Sequence, residues 1–168
     1  DKAALLGCMA ATGLGSVFNV AKPKPRQSIA IFGAGGIGLC AIAAARIKGC
    51  KPVIAVDINE EKLKAANKAG ASHCINASAL NPVEEINKIC GKGVDFAIEC
   101  CGLTKVMLQA IDSIRNLGGT AIIVGNAPFG ETLCIDPRQF NLGKKVLGTW
   151  GGDNNPDKDF PKYIQLAI

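Results

Sequence analysis

Four glycines, Gly33, Gly35, Gly36 and Gly38, fall within six positions of the apolar run IFGAGGIGLC. Asp57, 19 positions after Gly38, closes the next apolar run, PVIAVD. Glycines at the G-x-G-x-x-G spacing serve distinct ends: Gly33 permits a tight turn, Gly35 lets a pyrophosphate approach the backbone, and Gly38 lets helix and strand pack closely. The amino terminus of a following helix adds free N–H groups and a partial positive charge. A carboxylate at Asp57 accepts from ribose hydroxyls and repels a 2′-phosphate, which favours NAD over NADP. Each feature has a plainer alternative. A glycine-rich chain produces a flexible turn by chance, and a strand-end acid can simply cap the Ile58–Asn59 turn.

The elements that must position these residues are legible around them. SIAIF (28–32) is a short apolar run without alternation, as for a parallel strand buried on both faces. From Gly36 a helix follows, apolar nearly all round, with Arg46, Lys48 and Gly49 as stop signals. PVIAVD (52–57) gives a second strand. Asn59 caps a helix with Glu60 and Glu61 in its first turn and Gly70 at its end. HCIN (73–76) is a third strand, and Asn81, Pro82 and Glu84 open a helix ending at Gly91. VDFAIE (94–99) is a fourth strand. Thr104 is expected to cap the helix carrying Met107, Leu108, Ile111 and Ile114. TAIIVG (120–125) and KVLGTW (145–150) complete the set. Repeated strand–helix alternation implies right-handed crossovers. The expected fold is α/β: a Rossmann-type, doubly wound six-stranded parallel sheet with helices on both faces.

Composition narrows the function classes. The chain has 168 residues and a formal net charge of +5, which suits one domain with a full core. The charges are scattered, without a basic run interleaved with aromatics, so no nucleic-acid partner is expected. No membrane span or signal peptide is visible. Eight cysteines lie mostly in or beside apolar runs, with no C-x-x-C pair, and read as reduced thiols of a cytoplasmic protein. His73, the single histidine, reads as structural. Both ends read as cut, as in an excerpt from a longer polypeptide.

Several segments, in order and spacing, resemble the zinc-dependent alcohol dehydrogenases of the medium-chain dehydrogenase/reductase family. They are GCMAATGLGS (7–16), GAGGIGL (33–39), VDINEEKL (56–63), GASHCIN (70–76), GVDFAIECCG (93–102) and IIVGNAP (122–128). NLGKKVLGTWGG (141–152) is closest to the aryl- or benzyl-alcohol branch. The resemblance implies three parts: a linking helix over 1–27 from a catalytic domain that lies outside this chain, an NAD-binding domain over 28–152, and a truncated return segment over 153–168. It also implies a small-molecule alcohol or aldehyde substrate and a homo-oligomeric full-length enzyme.

By the same resemblance Cys8 matches the zinc-ligand cysteine of the G-C-x-x-x-T-G motif, and Thr12, one helical turn on, touches the nicotinamide. The alternative for Cys8 is a small buried hydrophobe. Asp57 and Lys62 match the pair holding the adenosine ribose, with Ile58 beside the adenine. Ile37 matches the side chain backing the nicotinamide. Cys101, Gly102 and Leu103 match the fourth-strand end that lines the cofactor, Leu103 standing where some members carry an arginine. Val124, Gly125 and Asn126 match the nicotinamide edge, as do Gly148 and Trp150 through their backbones. The other zinc ligands and the proton relay belong to a segment outside this sequence, so this chain alone is expected to hold no catalytic zinc and turn over no substrate. Two other readings stand beside this one: a zinc-free quinone or enoyl reductase of the same superfamily, which the cysteine at position 8 opposes, and a non-enzymatic NAD-sensing module.

Overall fold

Six short apolar segments, each too brief to bury itself, assemble into one parallel sheet. The computed structural model describes residues 7–166. The strands are β1 (Ile29–Phe32), β2 (Val53–Asp57), β3 (His73–Asn76), β4 (Phe96–Glu99), β5 (Thr120–Ile123) and β6 (Lys145–Gly148), in the order β3-β2-β1-β4-β5-β6. Ile29 is registered with Val53 on one side and Phe96 on the other. The chain winds outward from β1 to β3, then returns to place β4 beside β1. The winding reverses there, and the loops at the carboxyl ends of β1 and β4 splay apart into a crevice.

Alternation along the central strand divides the core. Ile29 and Ile31 pack on one face with Ile42 of α2 (Gly36–Ile47) and Leu63 of α3 (Glu60–Ala69). Ala30 and Phe32 pack on the other with Ile86 of α4 (Pro82–Cys90) and Ile111 of α5 (Thr104–Ser113). Ile29, Ile31, Phe32, Ile42, Ile86 and Ile111 are all buried, and each contributes about 1.5–3 kcal/mol of hydrophobic stabilisation.

The helix signals act mostly as expected. Asn59 accepts from the Glu61 and Lys62 amides and Asn81 from that of Val83, while Gly70 closes α3 in the left-handed conformation. Thr104 is the exception. The Val106 and Met107 amides both return to the Leu103 carbonyl, so Leu103 holds the cap position without a side-chain bond, and Thr104 is the first helical residue. Its hydroxyl instead donates to Glu131. Three strands fall two residues short of their apolar runs. Asp95 leaves the ladder because its carboxylate is engaged by Ser28 and Arg115. Val124 and Gly125 leave it because both amides donate to the Glu99 carbonyl. β6 ends at Gly148, ahead of the turn through Gly151 and Gly152, both at positive φ.

The segment expected to link, 1–27, carries α1 (Met9–Gly15), running into a π-helical stretch, Ser16–Ala21. Residues 1–6 of that segment lie outside the described residues, as do 167 and 168 of the return segment. The latter is otherwise α7 (Pro156–Leu166), preceded by the short α6 (Arg138–Asn141) on the way into β6. First and last elements meet. Asn19 donates to Asn154 Oδ1 at 3.1 Å, Tyr163 donates to the same oxygen at 2.6 Å, and Asn154 Nδ2 donates to the Ala11 carbonyl at 2.9 Å.

Candidate functional site

The glycine turn sits at the crevice where the winding reverses. Gly33 has φ 96°, a region that favours glycine, and its amide donates to the Val56 carbonyl at 2.8 Å. A side chain on Gly38 would strike the Gly33 carbonyl, and one on Gly36 would strike the Met9 thioether. Gly35 differs from both: nothing lies within 4 Å of the place its Cβ would take. Gly35 also caps α2 without a side-chain bond, and the first backbone bond of the helix runs from the Leu39 amide to the Gly35 carbonyl at 2.8 Å. The amides of Gly36, Ile37 and Gly38 therefore stand ahead of the helical ladder, next along the chain from the uncrowded Gly35.

Outside this turn lies a groove of about 340 Å³, lined by Gly33, Gly35, Asp57, Ile58, Lys62, Cys101 and Leu103 together with the strand ends beneath them. Asp57 Oδ2 accepts from the Ala34 amide at 2.7 Å, and Oδ1 accepts from the Asn59 amide at 3.0 Å. The turn-capping alternative for Asp57 is thus real, but each oxygen has capacity to accept a further bond, and the residue lines the groove. Ile58 and Leu103 are 71% and 56% exposed, two apolar side chains with little protein to cover them. The Cys101 thiol faces Gly33. Burial chiefly, then the Glu99 and Asp57 carboxylates, push it up to about 11 against the pull of Lys62, so it stays a neutral thiol.

Behind the groove two turns press together. A side chain on Gly125 would strike the Gly102 amide, and one on Gly102 the Asn126 carbonyl. Gly102, Val124, Gly125 and Asn126 therefore form one packed unit with Cys101 and Leu103. Between the turns lies Glu99, fully buried, with Oε1 accepting from the amides of Cys101 at 2.6 Å and Gly102 at 2.8 Å. Sequence reading missed Glu99. The available signal was an acid closing the otherwise apolar strand FAIE, just ahead of a glycine turn.

The remaining expected residues gather on the other side of these turns. Thr12 is buried in α1, and a side chain on Gly152 would meet its carbonyl. The Thr149 amide donates to the Ile123 carbonyl at 3.2 Å, which sets Gly148 and Trp150 next to the Val124–Asn126 turn. Gly13 lies against the Ile37 carbonyl, so α1 crosses the start of α2. Cys8 precedes α1, and its carbonyl accepts from the Thr12 amide at 2.8 Å. Its side chain is exposed in this chain. Among the described residues no three of His, Cys, Asp and Glu are placed to hold a metal ion. All eight cysteines are free. His73 stands at the opposite end of the sheet, its Nδ1 3.0 Å from Ser72 Oγ. A larger cleft, about 750 Å³, also opens at that amino end, beside Arg115 and Lys144. There α4 and α5 present carboxyl ends, the wrong polarity for a phosphate.

Residues 36–168 match the zinc-binding dehydrogenase family. The alcohol dehydrogenase class-P of Arabidopsis thaliana is 35% identical over 167 residues, covering 98% of this chain and 44% of that protein. The crystal structure of benzyl alcohol dehydrogenase from Acinetobacter calcoaceticus aligns with a TM-score of 0.94 at 36% identity, covering 97% of this chain and 45% of that one. A protein of Sinorhizobium meliloti 1021, solved bound to NADP, aligns with a TM-score of 0.78 at 29% identity, covering 86% of this chain and 43% of that one. The chain spans less than half the length of each of these relatives.

Proposed function

The chain belongs to the zinc-binding dehydrogenase family, and from that premise we propose that it is the NAD-binding part of a zinc-dependent alcohol dehydrogenase, one that passes a hydride between an alcohol–aldehyde pair and NAD. The observation that carries this reading is the open amino terminus of α2 facing the empty side-chain position of Gly35. A diphosphate there would accept charge-assisted hydrogen bonds, each contributing about 1.5–3 kcal/mol. It would also lie at the positive end of a 12-residue helix.

Bound NAD supplies the hydride acceptor at its nicotinamide C4. The chain's own residues bind and orient. Asp57 offers its free lone pairs to the adenosine ribose, Lys62 stands beside it, and Ile58 and Leu103 cover the adenine. Thr12, Ile37, Val124, Gly125 and Asn126, with the backbones of Gly148 and Trp150, hold the nicotinamide side. Cys8 offers one thiol toward zinc. A catalytic zinc needs three protein ligands, so the described residues do not fit the metal by themselves, and activation of the alcohol falls to residues outside them.

An aryl alcohol is the proposed substrate class, supported by the NLGKKVLGTWGG segment and by the likeness to a benzyl alcohol dehydrogenase. A homo-oligomeric enzyme in the cytoplasm completes the proposal. Eight free thiols agree with a reducing compartment, and among the described residues no helix is long and apolar enough to cross a membrane. Calorimetric titration with NAD tests the reading. Saturable one-to-one binding is expected, and a flat titration of folded protein would remove it.

A further inference from the structure

We propose that Glu99 is a positioning residue, a buried post that sets the spacing between the Cys101–Leu103 turn and the Val124–Asn126 turn and so fixes the inner wall of the groove. This rests on the reading of the groove as a dinucleotide site. Glu99 bonds to both turns at once. Its carboxylate Oε1 receives the Cys101 and Gly102 amides at 2.6 and 2.8 Å, and its main-chain carbonyl receives those of Val124 and Gly125 at 2.9 and 3.1 Å. Among the described residues Oε2 has no hydrogen-bond partner. It lies 2.8 Å from the place a Gly125 Cβ would occupy, so the carboxyl fills the gap that the glycine leaves.

A fully buried carboxyl with one oxygen unpartnered is costly, and a neutral apolar side chain would fill the same space without that penalty. What an apolar side chain lacks is an acceptor for two amides of a turn held at positive φ, that of Gly102 being 75°. The cost is therefore accepted where the turn has to be held. Of the proposed wall, Cys101 and Gly102 are tied to this side chain by their amides and Gly125 packs against its carboxyl, while the Val124 and Gly125 amides bond to the Glu99 main-chain carbonyl.

Protonation should loosen the post, because a neutral carboxyl is a weaker acceptor for both amides. Burial pushes the Glu99 carboxyl up from its ordinary range, while the surrounding amides of Cys101, Gly102, Gly125 and Leu103 hold it back. The other ionisable groups facing these turns are the thiols of Cys100 and Cys101, both pushed up and neutral throughout the acid range, with Asp57 and Lys62 acting on Cys101 from β2 and α3. In a Glu99 variant both thiols lose the push of that carboxylate but stay raised by burial and neutral throughout the acid range, so the difference between two pH profiles there reports Glu99.

The test compares NAD affinity of the unmodified chain, Glu99→Ala and Glu99→Gln by calorimetry, with circular dichroism as the folding control. Glu99→Ala should bind NAD at least about fivefold more weakly, the loss expected for one hydrogen bond. Glu99→Gln, which keeps an acceptor for the turn, should recover most of the affinity at neutral pH. The unmodified chain should also lose affinity relative to Glu99→Gln as pH falls. Unmodified affinity in a folded Glu99→Ala chain would overturn the proposal, as would identical pH profiles for the unmodified and Glu99→Gln chains. If Glu99→Ala does not fold, the two remaining profiles decide. No NAD binding by the unmodified chain would instead remove the reading of the groove itself, and this inference with it.

Discussion

The Ala34 amide donates to Asp57 Oδ2 at 2.7 Å, joining the glycine turn to the end of β2. One carboxylate thus shapes the turn and, in the proposed site, also serves the ribose. The chain should prefer NAD to NADP by at least about tenfold, because a 2′-phosphate about 4 Å from a carboxylate costs roughly 1 kcal/mol in water and about 4 in a partly shielded site. Asp57→Ser should narrow the gap, weakening NAD and relieving NADP. Titration of both cofactors at one ionic strength checks this, and equal affinities in the unmodified chain would take Asp57 out of the ribose site.

Gly35 and Gly38 should fail in different ways. A valine at 35 projects into open space and should abolish NAD binding while leaving the circular dichroism native. An alanine at 38 meets the Gly33 carbonyl and should lower stability by about 1–3 kcal/mol or more, as overpacking does. Denaturant melts separate the two, and a Gly35→Val chain that titrates normally would show that the turn is not the phosphate seat.

Two carboxylates should respond to pH with opposite signs. Burial raises Asp95, but the Ser28 amide and hydroxyl and the Arg115 guanidinium outweigh it and hold Asp95 below the usual range. Its contribution is present above the ordinary carboxylate range and is lost as pH falls through the depressed value. Asp95→Asn should therefore destabilise at pH 7, by about 1–3 kcal/mol, and progressively less as pH falls below the ordinary carboxylate range. Glu99 is raised because burying its charge outweighs the amide bonds, so its contribution to stability is full below the ordinary range and lost as pH rises through the raised value, although the charged form holds the turn more tightly. Glu99→Gln should gain on the unmodified chain as pH rises toward neutrality. Denaturant midpoints across pH read both effects.

Elemental analysis after dialysis should find no stoichiometric zinc on this chain. One tightly held zinc per chain, lost on Cys8→Ala, would show that Cys8 has partners beyond those described.

Local signals carried the sequence reading furthest. Asn59 and Asn81 bond within two or three residues of themselves, so their capping is written in the adjacent sequence. The apolar runs give the four inner strands because helices with equally visible stripes bury them, and the largely exposed β3 and β6 add to the two edges by register. Thr104 misleads for a physical reason. The turn before it is pinned at Cys101 and Gly102 by Glu99, which leaves Leu103 extended and at the cap. Glu99 and the Asn19–Asn154–Tyr163 cluster were invisible because their meaning depends on partners brought together only by the fold. Asn19 and Asn154 are 135 positions apart, and no local pattern links them.

That cluster bears on how the unit answers a pull. Ala10 of α1 and Leu166 of α7 line one cleft, so the two ends of the described chain lie side by side on the same flank of the sheet. Tension applied at both ends would not shear the strands along their length. It would open α1 from α7 like a zip, one contact at a time, breaking the Asn154–Ala11 and Tyr163–Asn154 bonds first. The terminal helices would yield at low force, and the central strands, out of the line of load, would keep their register until the flank had peeled away.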